Sequence, residues 1–105
     1  MESNPSALND ENGIHLRLSA QRALWGQVPN TLRATSVEYG LNVIRCRFIF
    51  DGEPSIDEKD ILGDAAAEII ADFPSPFIIE EEYIGIKYPE RMSHLKYLVF
   101  LRYEP

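Results

Sequence analysis

The stretch Ser55-Ile-Asp-Glu-Lys-Asp-Ile-Leu-Gly-Asp-Ala-Ala-Ala-Glu-Ile-Ile-Ala-Asp-Phe73 decides how the chain folds, because it reads as a helix set between two pairs of strand-like segments. Ser55 and Glu58 stand at capping-box spacing, in which a hydroxyl and a carboxylate reciprocally satisfy free amides at a helix start. At 100° per residue Leu62, Ala65, Ala66, Ile69, Ile70 and Phe73 share one arc, while Asp57, Asp60, Asp64, Glu68 and Asp72 cover the opposite one. The helix is amphipathic, and Pro74 and Pro76 close it.

Upstream, Leu32 to Tyr39 and Leu41 to Phe50 read as strands joined around Gly40, with Asn42 assisting the turn. Ile44, Cys46, Phe48 and Phe50 alternate with Val43, Arg45, Arg47 and Ile49, so one face of the second strand is core and the other partly wet. Downstream, Phe77 to Tyr88 and Lys96 to Glu104 supply two more strands. Ahead of them all, good helix formers run from Ile14 to Trp25, and Gly26 sits where a glycine cap belongs. Leu16, Ala20, Ala23 and Leu24 fall on one side of this helix and Ile14, Leu18 and Trp25 on another, the pattern of a helix covered on more than one side. The polar residues 1–13 form a loose tail in this reading, and 14–105 one domain. The order α-β-β-α-β-β, with two hairpins, predicts an α+β fold: a largely antiparallel four-stranded sheet with two helices packed on one face.

A 105-residue chain with 45% hydrophobic and 26% charged residues can bury one core and is not composed like a disordered one. Its start has neither a basic region nor an apolar run, and no window approaches the roughly 18 to 20 apolar residues of a spanning helix, so the expected location is cytoplasmic, away from membranes. One cysteine, Cys46, permits no intrachain disulfide.

Charge placement is the most informative feature. From Asp51 to Glu82 eleven acids meet one base, Lys59, a net of −10 that leaves +3 for the rest of a chain totalling −7. Nucleic acid is a poor direct ligand for such a chain, since binding phosphate needs a positive footprint. Within the helix Asp60-Asp64, Asp64-Glu68 and Glu68-Asp72 are like-charge pairs at i,i+4, together costing roughly 1 kcal/mol where lysines would have contributed stability. A face shaped for stability alone would mix its signs. The stripe therefore reads either as a docking face for a basic protein or as a plainly solvated one, and Ile61 at its margin as an exposed anchor or a residue buried by helix tilt. Glu80-Glu81-Glu82 is a second acidic run: either an outer rim for a partner or a set of cross-strand partners for Arg45 and Arg47.

No catalytic set emerges. Asp51-Gly-Glu53 with Ser55 and Asp57 imitates the start of a calcium loop, but the glycine and glutamate such a loop needs are replaced by Ile56 and Leu62, and a strand precedes it. His15 and His94 lie far apart without companions at ligand spacing, and Cys46 sits on an apolar strand face where burial makes it a small hydrophobe. Nucleophile elbow, phosphate loop and dinucleotide fingerprint are all missing, so the expectation is a protein with no enzymatic activity, no metal and no cofactor.

The runs Ala20-Gln-Arg-Ala-Leu-Trp-Gly26, Leu32-Arg-Ala-Thr-Ser-Val37, Phe48-Ile-Phe-Asp-Gly-Glu53 and Glu68-Ile-Ile-Ala-Asp-Phe-Pro74 resemble a family of small bacterial proteins that includes immunity proteins of contact-dependent growth inhibition systems. The resemblance spans about Ala20 to Glu104 and implies a cytoplasmic inhibitor of a toxin domain, often a nuclease. A nuclease groove is basic because it holds phosphates, and carboxylates can occupy it. The residues assigned to partner binding on this reading are Asp57, Asp60, Asp64 and Glu68 as the stripe, Asp51 and Glu53 as its loop extension, Ile61 at its margin, and Glu81 and Glu82 as a rim. The competing readings are a non-catalytic adaptor or homo-oligomeric assembly protein and, further off, a small metal-dependent enzyme.

Overall fold

In the computed structural model, which describes residues 10–105, Asp10 caps the first helix, α1 (Glu11–Ala23), by accepting a hydrogen bond from the Gly13 amide at 3.0 Å. The same carboxylate accepts from the hydroxyls of Tyr97 and Tyr39, and these three donors, Tyr97 foremost, hold its pKa at about 2. Gly13 is required by this arrangement, because a Cβ there would lie 2.1 Å from the Asp10 carboxylate. The helix thus starts three residues before Ile14, and residues 11–13 of the expected tail are helical; residues 1–9 of that tail lie outside the described residues.

Strands β1 (Leu32–Gly40) and β2 (Val43–Phe50) form the expected hairpin, turning through Leu41 and Asn42, the latter left-handed at φ 59°. Helix α2 (Ile56–Ala71) follows with its capping box intact, then β3 (Ile78–Gly85) and β4 (Tyr97–Leu101). The sheet order is β3-β2-β1-β4. The architecture is α+β in the order α-β-β-α-β-β, and the sheet is mixed: β1 pairs antiparallel with β2 and β4, whereas β2 and β3 run parallel. A second hairpin does not form. Helix α2 is long enough to carry the chain back to the starting end of β2, the crossover a parallel pair requires, and β3 and β4 end on opposite edges.

Leu16, Ala20, Ala23 and Leu24 of α1 and Leu62, Ala65 and Ile69 of α2 pack on one sheet face, against Leu32, Val37, Ile44, Cys46, Phe48 and Phe50. Thr35 is fully buried opposite Phe48 and Phe100, and its hydroxyl has no hydrogen-bond partner among the described residues. Removing an unsatisfied buried hydroxyl recovers its desolvation cost. Thr35→Val should therefore raise stability by about 1 kcal/mol, read as a higher urea midpoint at unchanged m-value.

Residues 86–96 cross the opposite sheet face from the β3 edge to the β4 edge, over the fully buried Ala34, Ser36 and Ile49. Arg33 anchors them. It is the extra residue of a bulge between Leu32 and Ala34, a device that re-aims a side chain. Its Nε and Nη2 donate to Glu104 at 2.7 and 2.9 Å, and its Nη1 to the carbonyls of Ile86 and Glu90 at 2.8 and 3.0 Å. Further along, Ser36 Oγ accepts from the Leu95 amide at 2.9 Å, and Arg47 Nη1 donates to the Ser93 carbonyl at 3.0 Å.

Candidate functional site

Helix α2 turns Leu62, Ala65, Ala66 and Ile69 inward, so the arc opposite them must face away from the sheet. Asp57, Asp60, Asp64 and Glu68 are all exposed on that arc, and Glu53 is exposed in the loop before it. None of these five acids forms an ion pair among the described residues, nor does Lys59.

The neighbouring acids behave differently. Asp51 accepts from the Tyr88 amide at 3.0 Å and from Arg102 at 3.1 Å, which lower its pKa, the amide first. Glu80 meets Arg45 at 3.1 Å and Glu82 meets Arg47 at 2.8 Å, because parallel pairing sets each pair in register on the face away from the helices. The choice left open for this run is thereby made for Glu80 and Glu82, which are cross-strand partners of the arginines. Glu81 points the other way. It lies on the helix side and accepts from the Tyr83 hydroxyl, whose pKa is raised by burial and then by this carboxylate. Glu58 is held by Ser55 and Thr31. Asp72 leaves the stripe to bind α1, accepting from Ser19 Oγ at 2.7 Å and Arg22 at 3.0 Å while its carbonyl meets His15 Nε2 at 2.9 Å. These contacts, Ser19 first, lower its pKa.

The structure therefore brings Glu53, Asp57, Asp60, Asp64 and Glu68 into one uncompensated outward field, with Ile61 37% exposed at its margin and Glu81 beside α2. Asp51 and Glu82 are engaged within the fold. Gly63 lets α2 lie close to β3: a Cβ there would come to 3.5 Å from Tyr83 Oη and 4.0 Å from Glu81 Oε1, ordinary contact distances. Since glycine weakens a helix interior, Gly63→Ala should stabilise the fold by about 0.5–1 kcal/mol in thermal or urea unfolding without displacing the acids.

Cys46 is buried, and burial pushes its thiol to about 12, far from a nucleophile's range. No three His, Cys, Asp or Glu side chains among the described residues gather as a metal site would need. The second apolar arc of α1, expected to be covered, is open among the described residues: Ile14 and Leu18 are 47% and 51% exposed, and Trp25, which the structure places in the turn after the helix rather than at its end, is 76% exposed. They were missing from the residues assigned to a partner, although their spacing was visible.

A family model described as MafI2 immunity protein matches residues 13–104. No curated protein matches the chain.

Proposed function

We infer that this chain, which belongs to the MafI2 immunity protein family, protects its cell by binding a basic toxin domain through the outer face of α2 and covering that domain's cationic groove. The family implies toxin immunity and a toxin protein as partner. What supports the finer reading is one contrast. The fold pairs Asp51, Asp72, Glu80 and Glu82 with its own arginines, yet leaves Glu53, Asp57, Asp60, Asp64 and Glu68 without a cation, at a cost in helix stability.

A groove that holds phosphates presents arginines and lysines, and a dense set of carboxylates both accelerates encounter and excludes the substrate from the same ground. The toxin is accordingly a nuclease, delivered by a contact-dependent system and met in the cytoplasm. The protein needs no catalytic group for this. The test is protection: cells producing the cognate toxin domain should survive with the wild-type protein and die with the Asp60→Lys, Asp64→Lys, Glu68→Lys variant produced at equal level. Equal survival would remove the stripe from the mechanism.

A further inference from the structure

Helices α1 and α2 cover the same sheet face and are tied side by side through Asp72. Each presents outward the arc opposite its buried residues, so the two exposed arcs open in a common direction. That of α2 is acidic. That of α1 carries Ile14 and Leu18 at i and i+4, continued past the helix end by the exposed Trp25 and Val28, and between α1 and β4 a groove descends to Val99 and Phe100. Exposed apolar side chains on one contiguous face mark an interaction site rather than ordinary surface.

We propose that this groove is the apolar half of the toxin-binding surface, with Trp25 as its anchor, seated against an uncharged apolar segment bordering the toxin's cationic groove. The proposal rests on the toxin-binding reading of α2. Continuity and charge identify the occupant: a partner drawn to the acids of α2 arrives facing α1 as well. The cations beside the groove repel a basic surface unless its contact there is apolar; Arg22 is already paired with Asp72 and Arg17 lies over Tyr97. A surface acidic on one half and apolar on the other thus admits one orientation of the partner. A second copy of this chain fits worse, because each copy carries −7 and brings its own acidic stripe to the contact.

Charge sets the rate of encounter, whereas a desolvated aromatic anchor sets the lifetime of the complex. Against the inactivated cognate toxin domain, Trp25→Ala and Leu18→Ala should each speed dissociation at least tenfold while association stays within about twofold. Trp25 is the chain's sole tryptophan, so 5-fluorotryptophan labelling should give one fluorine resonance that shifts on binding. Unchanged dissociation and an unmoved resonance would overturn the anchor while leaving the charge reading intact. A wild-type dimer that Leu18→Glu converts to monomer would also overturn it, by giving the groove to a second copy. Faster dissociation from the Trp25 variant, with no effect of the α2 lysines on association, would keep the anchor and remove the charge reading instead.

Discussion

Arg33→Ala should cost about 3–5 kcal/mol of folding stability, the range for breaking one side of a buried ion pair. The Arg33 side chain is only 3% exposed and supplies four hydrogen bonds, two to Glu104 and one each to the carbonyls of Ile86 and Glu90. Truncation leaves the largely buried Glu104 carboxylate with Arg102 alone and takes the Arg33 donor from two backbone acceptors, which frees the 86–90 end of the segment from the sheet face while Ser36 and Arg47 still hold Leu95 and Ser93. For a chain of this size the melting temperature should fall by roughly 15–30 °C. Arg33→Lys keeps the charge but cannot form the fork, and should fall between the two proteins.

The same contact carries a pH signature. Glu104 is held below the ordinary carboxylate range by the Arg33 hydrogen bonds first and Arg102 next. A depressed folded pKa contributes stability that is present above the unfolded pKa and lost as pH falls through the folded one. The stability gap between wild type and Arg33→Ala should therefore be constant near neutrality and shrink as pH drops below about 4.5. Equal unfolding midpoints for the two proteins at pH 7 would contradict this account of the sheet's reverse face.

Asp64→Lys should make the protein more stable and a poorer inhibitor at once. It replaces two like-charge i,i+4 pairs, to Asp60 and Glu68, with two attractive ones, for a gain of about 1 kcal/mol. Extending the change to Asp60 and Glu68 reverses the field of the whole arc, and association with the toxin domain should slow by roughly ten- to a hundredfold at low salt. Opposite movements in stability and binding separate a functional surface from a merely solvated one. A solvated stripe predicts the gain in stability alone.

Much of this was legible because local chemistry states it. The Ser55-Glu58 box, the alternation of Ile44 to Phe50 and the arc from Leu62 to Ile69 each fix an element or a buried face from within one segment. The parallel pairing of β2 and β3 was not legible, since a helix of that length joins either a parallel or an antiparallel neighbour. Strand order in turn decided Glu80 and Glu82: their register with Arg45 and Arg47 exists only once β3 lies beside β2. The Asp10 cap is itself a local signal, an aspartate accepting from the amide three residues on, whereas the hydroxyls of Tyr39 and Tyr97 that also fix it come from far along the chain and could not be read. The exposure of Trp25 was hidden for a related reason. An apolar arc shows on a helical wheel, but whether another element covers it depends on tertiary placement.

The association rate of this protein with its toxin domain, measured from low to high ionic strength beside the triple lysine variant, tests the acidic docking face of α2 most directly. The uncompensated face of α2 requires a steep fall of the wild-type rate with salt and a slow rate for the variant that rises as salt screens its repulsion, the two converging at high salt. Two parallel profiles would mean that the acids of α2 face water and nothing else.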